Sequence, residues 1–344
     1  MIMGLCVLHI TNLCNLKCKH CYASAGNELN NELSFDEIIN IIDQLSEMNI
    51  NYITVSGGEP LARKEVYDII RYIKSKNINV MITTNGTLID ENVAKKLKEL
   101  KVDSIQISMD SHIPEIHDKF RGVKGSFEKA VKAIKLCKEQ NIKVSIMSTL
   151  STINREYINE LIDFAVGLGV DGFGMERFVP EGRGKDTREI EITAQDLKRC
   201  FEILYNAKSK YKDCSFGTND PLFSFVDGTA EMMQTLSREN CNLCGGCSLG
   251  KMAFIITPDA QVGLCARFYK KIGSIREKSI RQILEDSEVL KIVANRDNLK
   301  GKCGKCKYKK ICGGCRGWAF NTTGDYLAED NLCWLDEEEI VKGD

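Results

Sequence analysis

The sequence predicts an α/β fold: strand–helix units in series, then a small cysteine-rich module with a β-hairpin and short helices. Three observations predict it. Short apolar runs alternate with segments of helical period over the first two thirds of the chain. Nine of the sixteen cysteines fall at or after Cys241, where that alternation stops. The 344 residues are enough for one large domain plus a small one.

The elements follow in order. Leu5–Ile10 reads as a strand, and Ser34 opens a helix with a capping box to Glu37. Ile38, Ile41, Ile42 and Leu45 then recur at helical spacing. Tyr52–Ser56 reads as a strand, followed by Gly57-Gly58-Glu59-Pro60 and a helix over Glu65–Ser75. Asn79–Thr84 is a strand ended by Asn85-Gly86, with a helix over Glu91–Leu100. Ser104–Met109 and Lys143–Leu150 are strands, with helices over Phe127–Gln140 and Glu156–Leu168 after them. Gly172–Glu176 is a sixth strand, Pro180–Asp186 a linker or lid, and Ala194–Lys208 a helix. Beyond the boundary, placed near residue 240, Phe254–Thr257 and Gln261–Cys265 flank Pro258-Asp259-Ala260 as a hairpin. A helix over Ile280–Val293 precedes the last cysteine group. Six such units imply a parallel sheet with right-handed crossovers, and pattern alone leaves an open doubly wound sheet and a barrel both standing.

Composition narrows the function classes. The chain is 43% hydrophobic and 28% charged, with a formal net charge of −1, so no basic field invites nucleic acid. No run approaches the roughly 20 apolar residues of a membrane helix, and the start lacks the basic flank of a signal peptide. A cytoplasmic protein is expected. There, clustered cysteines point to metal rather than to disulfides.

Cys14, Cys18 and Cys21 have C-x3-C-x2-C spacing in the loop after the first strand, where parallel sheets collect functional residues. A [4Fe–4S] cluster normally takes four cysteines, so three leave one iron free to bind a small molecule. A zinc site completed by His20 is the alternative on spacing alone. For Gly57-Gly58-Glu59-Pro60 the plain alternative is a strand-to-helix turn with Pro60 in the first helical turn.

Thr11-Asn12-Leu13-Cys14-Asn15-Leu16-Lys17-Cys18-Lys19-His20-Cys21-Tyr22 resembles the signature loop of the radical SAM superfamily, and Gly57-Gly58-Glu59-Pro60 resembles its second hallmark. The resemblance covers nearly the whole chain. It implies a partial (β/α)6 barrel over residues 1–240, with one [4Fe–4S] cluster on Cys14, Cys18 and Cys21 that binds S-adenosylmethionine (SAM). It further implies SAM contacts from Gly57, Gly58 and Glu59, and from Asn85, Ser108, Asp110 and Arg121 at later strand ends. Arg121 suits bidentate pairing with a carboxylate. Glu176, ending the sixth strand, is a candidate polar group at the barrel mouth, while His9 and His112 read as structural.

Cys303-x2-Cys306-x5-Cys312-x2-Cys315, followed by Cys333 and preceded by Cys241, Cys247 and Cys265, resembles the SPASM extension of that superfamily over 241–344. The resemblance implies two auxiliary [4Fe–4S] clusters: one on Cys241, Cys247, Cys265 and Cys315, the other on Cys303, Cys306, Cys312 and Cys333. Cys244 is an alternative ligand for the first set. Two departures stand out: Ala260 where a hairpin glycine is usual, and C-x2-C at Cys312–Cys315 where C-x3-C is common. By themselves the C-x2-C pairs also fit a zinc ribbon. Cys6, Cys137, Cys200 and Cys214 read as ordinary thiols, and Trp318 and Phe320 as packing.

The family implies reductive cleavage of SAM, by an electron from a flavodoxin or ferredoxin, to a 5′-deoxyadenosyl radical that abstracts hydrogen. A peptide or protein substrate, modified by a thioether or carbon–carbon cross-link, is the leading expectation. With the first strand at Leu5, leader recognition is expected from a separate protein. Tetrapyrrole side-chain oxidation is the alternative. Cys312-Gly313-Gly314-Cys315-Arg316 and Gly324-Asp325-Tyr326-Leu327-Ala328-Glu329-Asp330 resemble the ending of haem-synthesis relatives. A non-catalytic electron-transfer or zinc-scaffold protein leaves the Cys14 loop and Gly57-Gly58-Glu59-Pro60 unexplained together.

Overall fold

The computed structural model describes residues 4–235, 246–249 and 253–341. Six parallel strands carry the first part: β1 (Leu5–His9), β2 (Tyr52–Ser56), β3 (Asn79–Thr84), β4 (Ser104–Ser108), β5 (Val144–Leu150) and β6 (Gly172–Arg177). They pair in simple sequence order, each with the next. A doubly wound sheet reverses its order at a switch point, so this order is that of a partial barrel.

One local device repeats between helix and strand. The helices Phe35–Glu47, Val66–Ser75, Glu91–Glu99, Ser126–Glu139 and Ile158–Gly167 are each followed by a left-handed residue: Asn49, Asn77, Lys101, Asn141 and Gly169. A buried aliphatic comes next each time: Ile50, Ile78, Val102, Ile142 and Val170. In the first four, its N–H reaches back to the last turn, as in Ile50 N to Leu45 O at 2.9 Å. This Schellman-type ending reverses the chain and drops an apolar side chain into the core just before the next strand. The capping box at Ser34 is present, and Ile38, Ile41, Ile42 and Leu45 are the buried face of that helix.

The expected boundary near residue 240 lies outside the described residues, and one sheet contains strands from both sides of it. Strands β7 (Ser215–Gly217), β8 (Ala253–Ile256), β9 (Gln261–Cys265) and β10 (Phe268–Ser274) belong to the same ten-stranded sheet, ordered β10-β9-β8-β1-β2-β3-β4-β5-β6-β7. The hairpin strand β8 lies parallel to β1, with Cys6 opposite Phe254. The cysteine-rich region therefore grows from the open edge of the barrel and shares its apolar core.

Three local expectations are corrected. The single helix over Ile280–Val293 is two, Ile280–Asp286 and Glu288–Ala294, because Ser287 caps the second by accepting from Leu290 N at 3.1 Å. Pro114–Arg121 forms an additional helix. Pro180–Asp186 is no loose linker: Gly182–Asp186 is a 3-10 turn clamped onto the Cys14 loop. No described helix is long and apolar enough to cross a membrane.

Candidate cluster and cofactor site

The Cys14 loop leaves the carboxyl end of β1 and closes on itself, with Cys14 N on Gly26 O and Gly26 N on Asn12 O, both at 2.9 Å. It is then pinned to the end of β2. Gly58 N donates to Thr11 O and Glu59 N to Leu13 O, both at 2.8 Å. A Cβ at Gly57 would lie 2.3 Å from Thr11 O, and one at Gly58 2.4 Å from Leu13 O. Only glycine lets the two backbones meet this closely.

A second clamp comes from β6. Beyond its end, Arg183 donates from Nε to Cys18 O at 3.1 Å and from Nη1 to Ala25 O at 2.6 Å, while its N–H reaches Cys21 O at 3.0 Å. The guanidinium thus satisfies two backbone carbonyls of the loop with one side chain.

Burial pushes the Cys14 thiol up to about 11, and pushes Cys18 up too, against the pull of Arg121. The Arg121 guanidinium stands 4.0 Å from the Cys18 sulfur, and Asn85 Nδ2 the same distance from the Cys14 sulfur. A metal bound to such thiols lowers their pKa and favours the thiolate. His20, which a zinc site would require, is stacked on Phe120 with ring centroids 3.9 Å apart.

The residues expected at the strand ends fall into two groups. Glu59 is fully buried and accepts from Leu61 N, Thr84 Oγ1 and Asn85 N at 3.1, 2.8 and 2.8 Å. Burial pushes its carboxyl up to about 7. It ties the end of β3 to the second hallmark and so acts as a brace. Asn85 is bound to Asn15 and Thr87, its Nδ2 donating to Asn15 Oδ1 at 3.0 Å. Asp110 is engaged on both sides, by Arg121 Nε at 2.7 Å and Thr149 N at 2.9 Å. Arg121 therefore already has one carboxylate. Ser108 stands half-buried at the end of β4. Glu176 accepts from Arg267 Nη1 at 2.7 Å and Asn219 N at 2.9 Å. His9 is buried against Tyr22, whose hydroxyl is 3.2 Å from Nε2.

In the last third, Cys303, Cys306, Cys312 and Cys333 line one cavity with Gly313 and Gly314. Its sulfurs already receive donors: Asp330 N to Cys303 at 3.4 Å, Arg316 Nη2 to Cys303 at 3.7 Å and Gly314 N to Cys312 at 3.3 Å. Cys265 and Cys315 lie near Arg267, and Cys247 lies near Cys265 with Arg296 and Arg316 beside it. Burial pushes the Cys265 thiol up, against Arg267 and with Cys247; burial likewise pushes Cys315 up to about 12, against Arg177 and Arg267. Cys241 and Cys244 lie outside the described residues. Trp318 is buried with Nε1 on Asn331 Oδ1 at 2.6 Å, and Phe320 packs edge-on against Phe268. Cys6, Cys137, Cys200 and Cys214 are buried away from both groups, in the apolar core.

Among the described residues, no three His, Cys, Asp or Glu side chains are set to grip one metal ion. Cubane ligands need not be, since each meets a different iron and their sulfurs stand wider apart than around a single zinc. A cysteine-only donor set, N–H groups aimed at sulfur, and a cavity bounded by four thiols fit iron–sulfur clusters. Sequence reasoning missed Arg177, Arg183, Asp220 and Asp330. The hints were position, with Arg177 ending β6 and Arg183 just beyond it, and the Gly324–Asp330 stretch, which ends on Asp330.

The chain matches the family model for the radical SAM superfamily over residues 8–165 and that for an iron–sulfur cluster-binding (SPASM) domain over 244–315. It is 32% identical over 335 residues to an AdoMet-dependent heme synthase of Methanosarcina barkeri, covering 94% of each chain. It is 28% identical over 338 residues to the antilisterial bacteriocin subtilosin biosynthesis protein AlbA of Bacillus subtilis, covering 96% of this chain and 71% of that one. Its fold matches Streptococcus suis SuiB bound to S-adenosylmethionine with a TM-score of 0.79 at 20% identity, covering 97% of this chain and 78% of that chain.

Proposed function

The chain belongs to the radical SAM superfamily and carries its SPASM extension, and from that premise we propose that it modifies a residue within a peptide or protein. It is a SAM-dependent iron–sulfur enzyme. We assign Cys14, Cys18 and Cys21 to the SAM-binding cluster, Cys247, Cys265 and Cys315 with Cys241 or Cys244 to one auxiliary cluster, and Cys303, Cys306, Cys312 and Cys333 to the other. When bound, the first cluster and SAM supply a 5′-deoxyadenosyl radical able to take hydrogen from an unactivated C–H bond.

The chain's own residues hold that site in place. Gly57, Gly58 and Arg183 fix the backbone of the cysteine loop. Glu59 fixes Asn85, and Asp110 aims Arg121 at the Cys18 side of the site. Asn85, Ser108 and Arg121 are the groups left to orient SAM, with Glu176 facing the substrate side.

The observation that carries the peptide reading is the state of the arginines at the strand ends. Arg121 is held by Asp110, Arg177 by Asp220 and Asp330, Arg183 by backbone carbonyls, and Arg267 by Glu176. Among the described residues these guanidinium groups are already engaged, so the propionates of a tetrapyrrole would have to be met by lysines, backbone N–H groups or water, whereas a peptide can be held by hydrogen bonds and an apolar wall. The 32% identity to a heme synthase across both full lengths favours the second reading, tetrapyrrole side-chain oxidation.

One assay separates them. Reduced, cluster-loaded enzyme with SAM is incubated either with cysteine-containing peptides or with an iron porphyrin carrying propionates. Loss of two hydrogens from a peptide, seen by mass spectrometry, supports the proposal. Loss of carbon dioxide together with two hydrogens from a porphyrin propionate, with no change in the peptides, overturns it in favour of the second reading.

A further inference from the structure

Asp330 is 1% exposed and touches both auxiliary cysteine sets at once. Its N–H donates to the Cys303 sulfur at 3.4 Å. Its Oδ2 accepts from Cys315 N at 2.8 Å. Both carboxylate oxygens also receive Nη1 of Arg177, at 2.9 and 3.0 Å, from the last residue of β6. The far side of that guanidinium pairs with both oxygens of Asp220 through Nε and Nη2. All three side chains are fully buried, at 0% exposure. Two carboxylates thus share one cation here, and two further buried guanidinium groups stand close by, Arg316 3.7 Å from the Cys303 sulfur and Arg296 on Cys247 O at 2.8 Å.

A buried ion group of this kind is a poor source of stability, because desolvating three charges offsets most of their attraction. Its effect on a neighbouring redox centre is direct. Cluster potentials follow the local net charge, the hydrogen bonds to sulfur and the exposure to solvent, and a fixed charge acts strongly where water is excluded. Each carboxylate disfavours adding an electron relative to a neutral side chain in its place.

We propose that the Asp220–Arg177–Asp330 triad sets the potentials of the two auxiliary clusters, holding both low through one shared carboxylate at Asp330. The inference rests on the auxiliary ligand assignment made above. Asp330 is the nearer acid, since its carboxylate accepts from Cys315 N and its own N–H reaches the Cys303 sulfur, whereas Asp220 is one guanidinium farther away. Neutralising either acid makes the same change in charge, so the acid nearer the cysteines is expected to give the larger shift.

The test is a redox titration of the full-length, cluster-loaded protein, followed by electron paramagnetic resonance, in wild type, Asp330→Asn, Asp220→Asn and Asp330→Glu. Both auxiliary potentials are expected to rise in Asp330→Asn, to rise less in Asp220→Asn, and to stay near wild type in Asp330→Glu. Where Asp330→Asn does not fold, the rise in Asp220→Asn alone decides. Unchanged auxiliary potentials in the neutralised proteins, with iron content intact, overturn the proposal and leave the ligand assignment standing. Wild-type protein holding iron only at the Cys14 loop overturns the assignment itself, and this inference with it.

Discussion

The two cysteine regions solve the same problem, holding sulfurs for a cluster, by opposite means. The Cys14 loop is a short run whose backbone is gripped by other backbone and by Arg183, while its sulfurs receive only sparse contacts. The C-terminal module draws its sulfurs from residues spread between Cys247 and Cys333 and hydrogen-bonds them individually. The loop inherits its shape from a large sheet core beneath it, whereas the module's elements are short and meet around the cavity lined by cysteines. A site that must admit a cofactor and substrate is made rigid from behind and left open in front. A site that only holds and tunes a cluster can be enclosed.

The largest expected effect tests whether the regions act separately. Cys18→Ala should reduce 5′-deoxyadenosine formation to background, measured by chromatography of anaerobic reactions, while roughly eight of about twelve irons remain. Loss of all iron would show that the C-terminal clusters depend on the loop. Next comes removal of iron by a chelator. Amide exchange over 296–341 should speed on the order of 100-fold, because metal binding and folding are coupled there, while β1–β6 change by less than about tenfold. Equal loosening of both regions would erase the contrast.

Gly58→Ala attacks the backbone grip of the loop alone. The new Cβ would meet Leu13 O at 2.4 Å and Asn12 O at 2.6 Å. A destabilisation of about 3 kcal/mol is expected from chemical denaturation; a cost within about 0.5 kcal/mol would mean that the loop adapts freely. The smallest effect belongs to the hairpin that joins the regions. Ala260 adopts φ +66° while fully buried. Ala260→Gly relieves about 1 kcal/mol of left-handed strain but gives up a buried methyl worth about 0.8 kcal/mol, so the midpoint should barely move. A large loss would show that the methyl, not the turn, matters.

Much of this was legible in the residues. Strands β1–β6 and the hairpin β8–β9 were read nearly to their ends because each is a short apolar run bounded by turn residues, whereas β7 and β10 were missed; the three cysteine groups stand out by spacing. The reading failed where one residue decides locally, as at Ser287, which splits a continuous helical pattern by capping. It also failed at Pro180–Asp186, whose Gly-rich, charged composition suggests a loose segment. Nothing local reveals that Arg183 will find the carbonyls of Cys18 and Ala25, more than 150 residues away in the chain.

The amino-acid order alone determined which residues make the barrel strands, which cysteines belong to the first loop, and which family's chemistry the chain carries. These are set by local period, turn chemistry and spacing, all of which act between near neighbours. Tertiary structure decided that the cysteine-rich region extends the barrel sheet, that Glu59 braces β3, and that Asp330 stands between two cysteine sets. Each depends on pairing between residues far apart in sequence, where buried polar groups must find partners and only the completed fold brings those partners within reach.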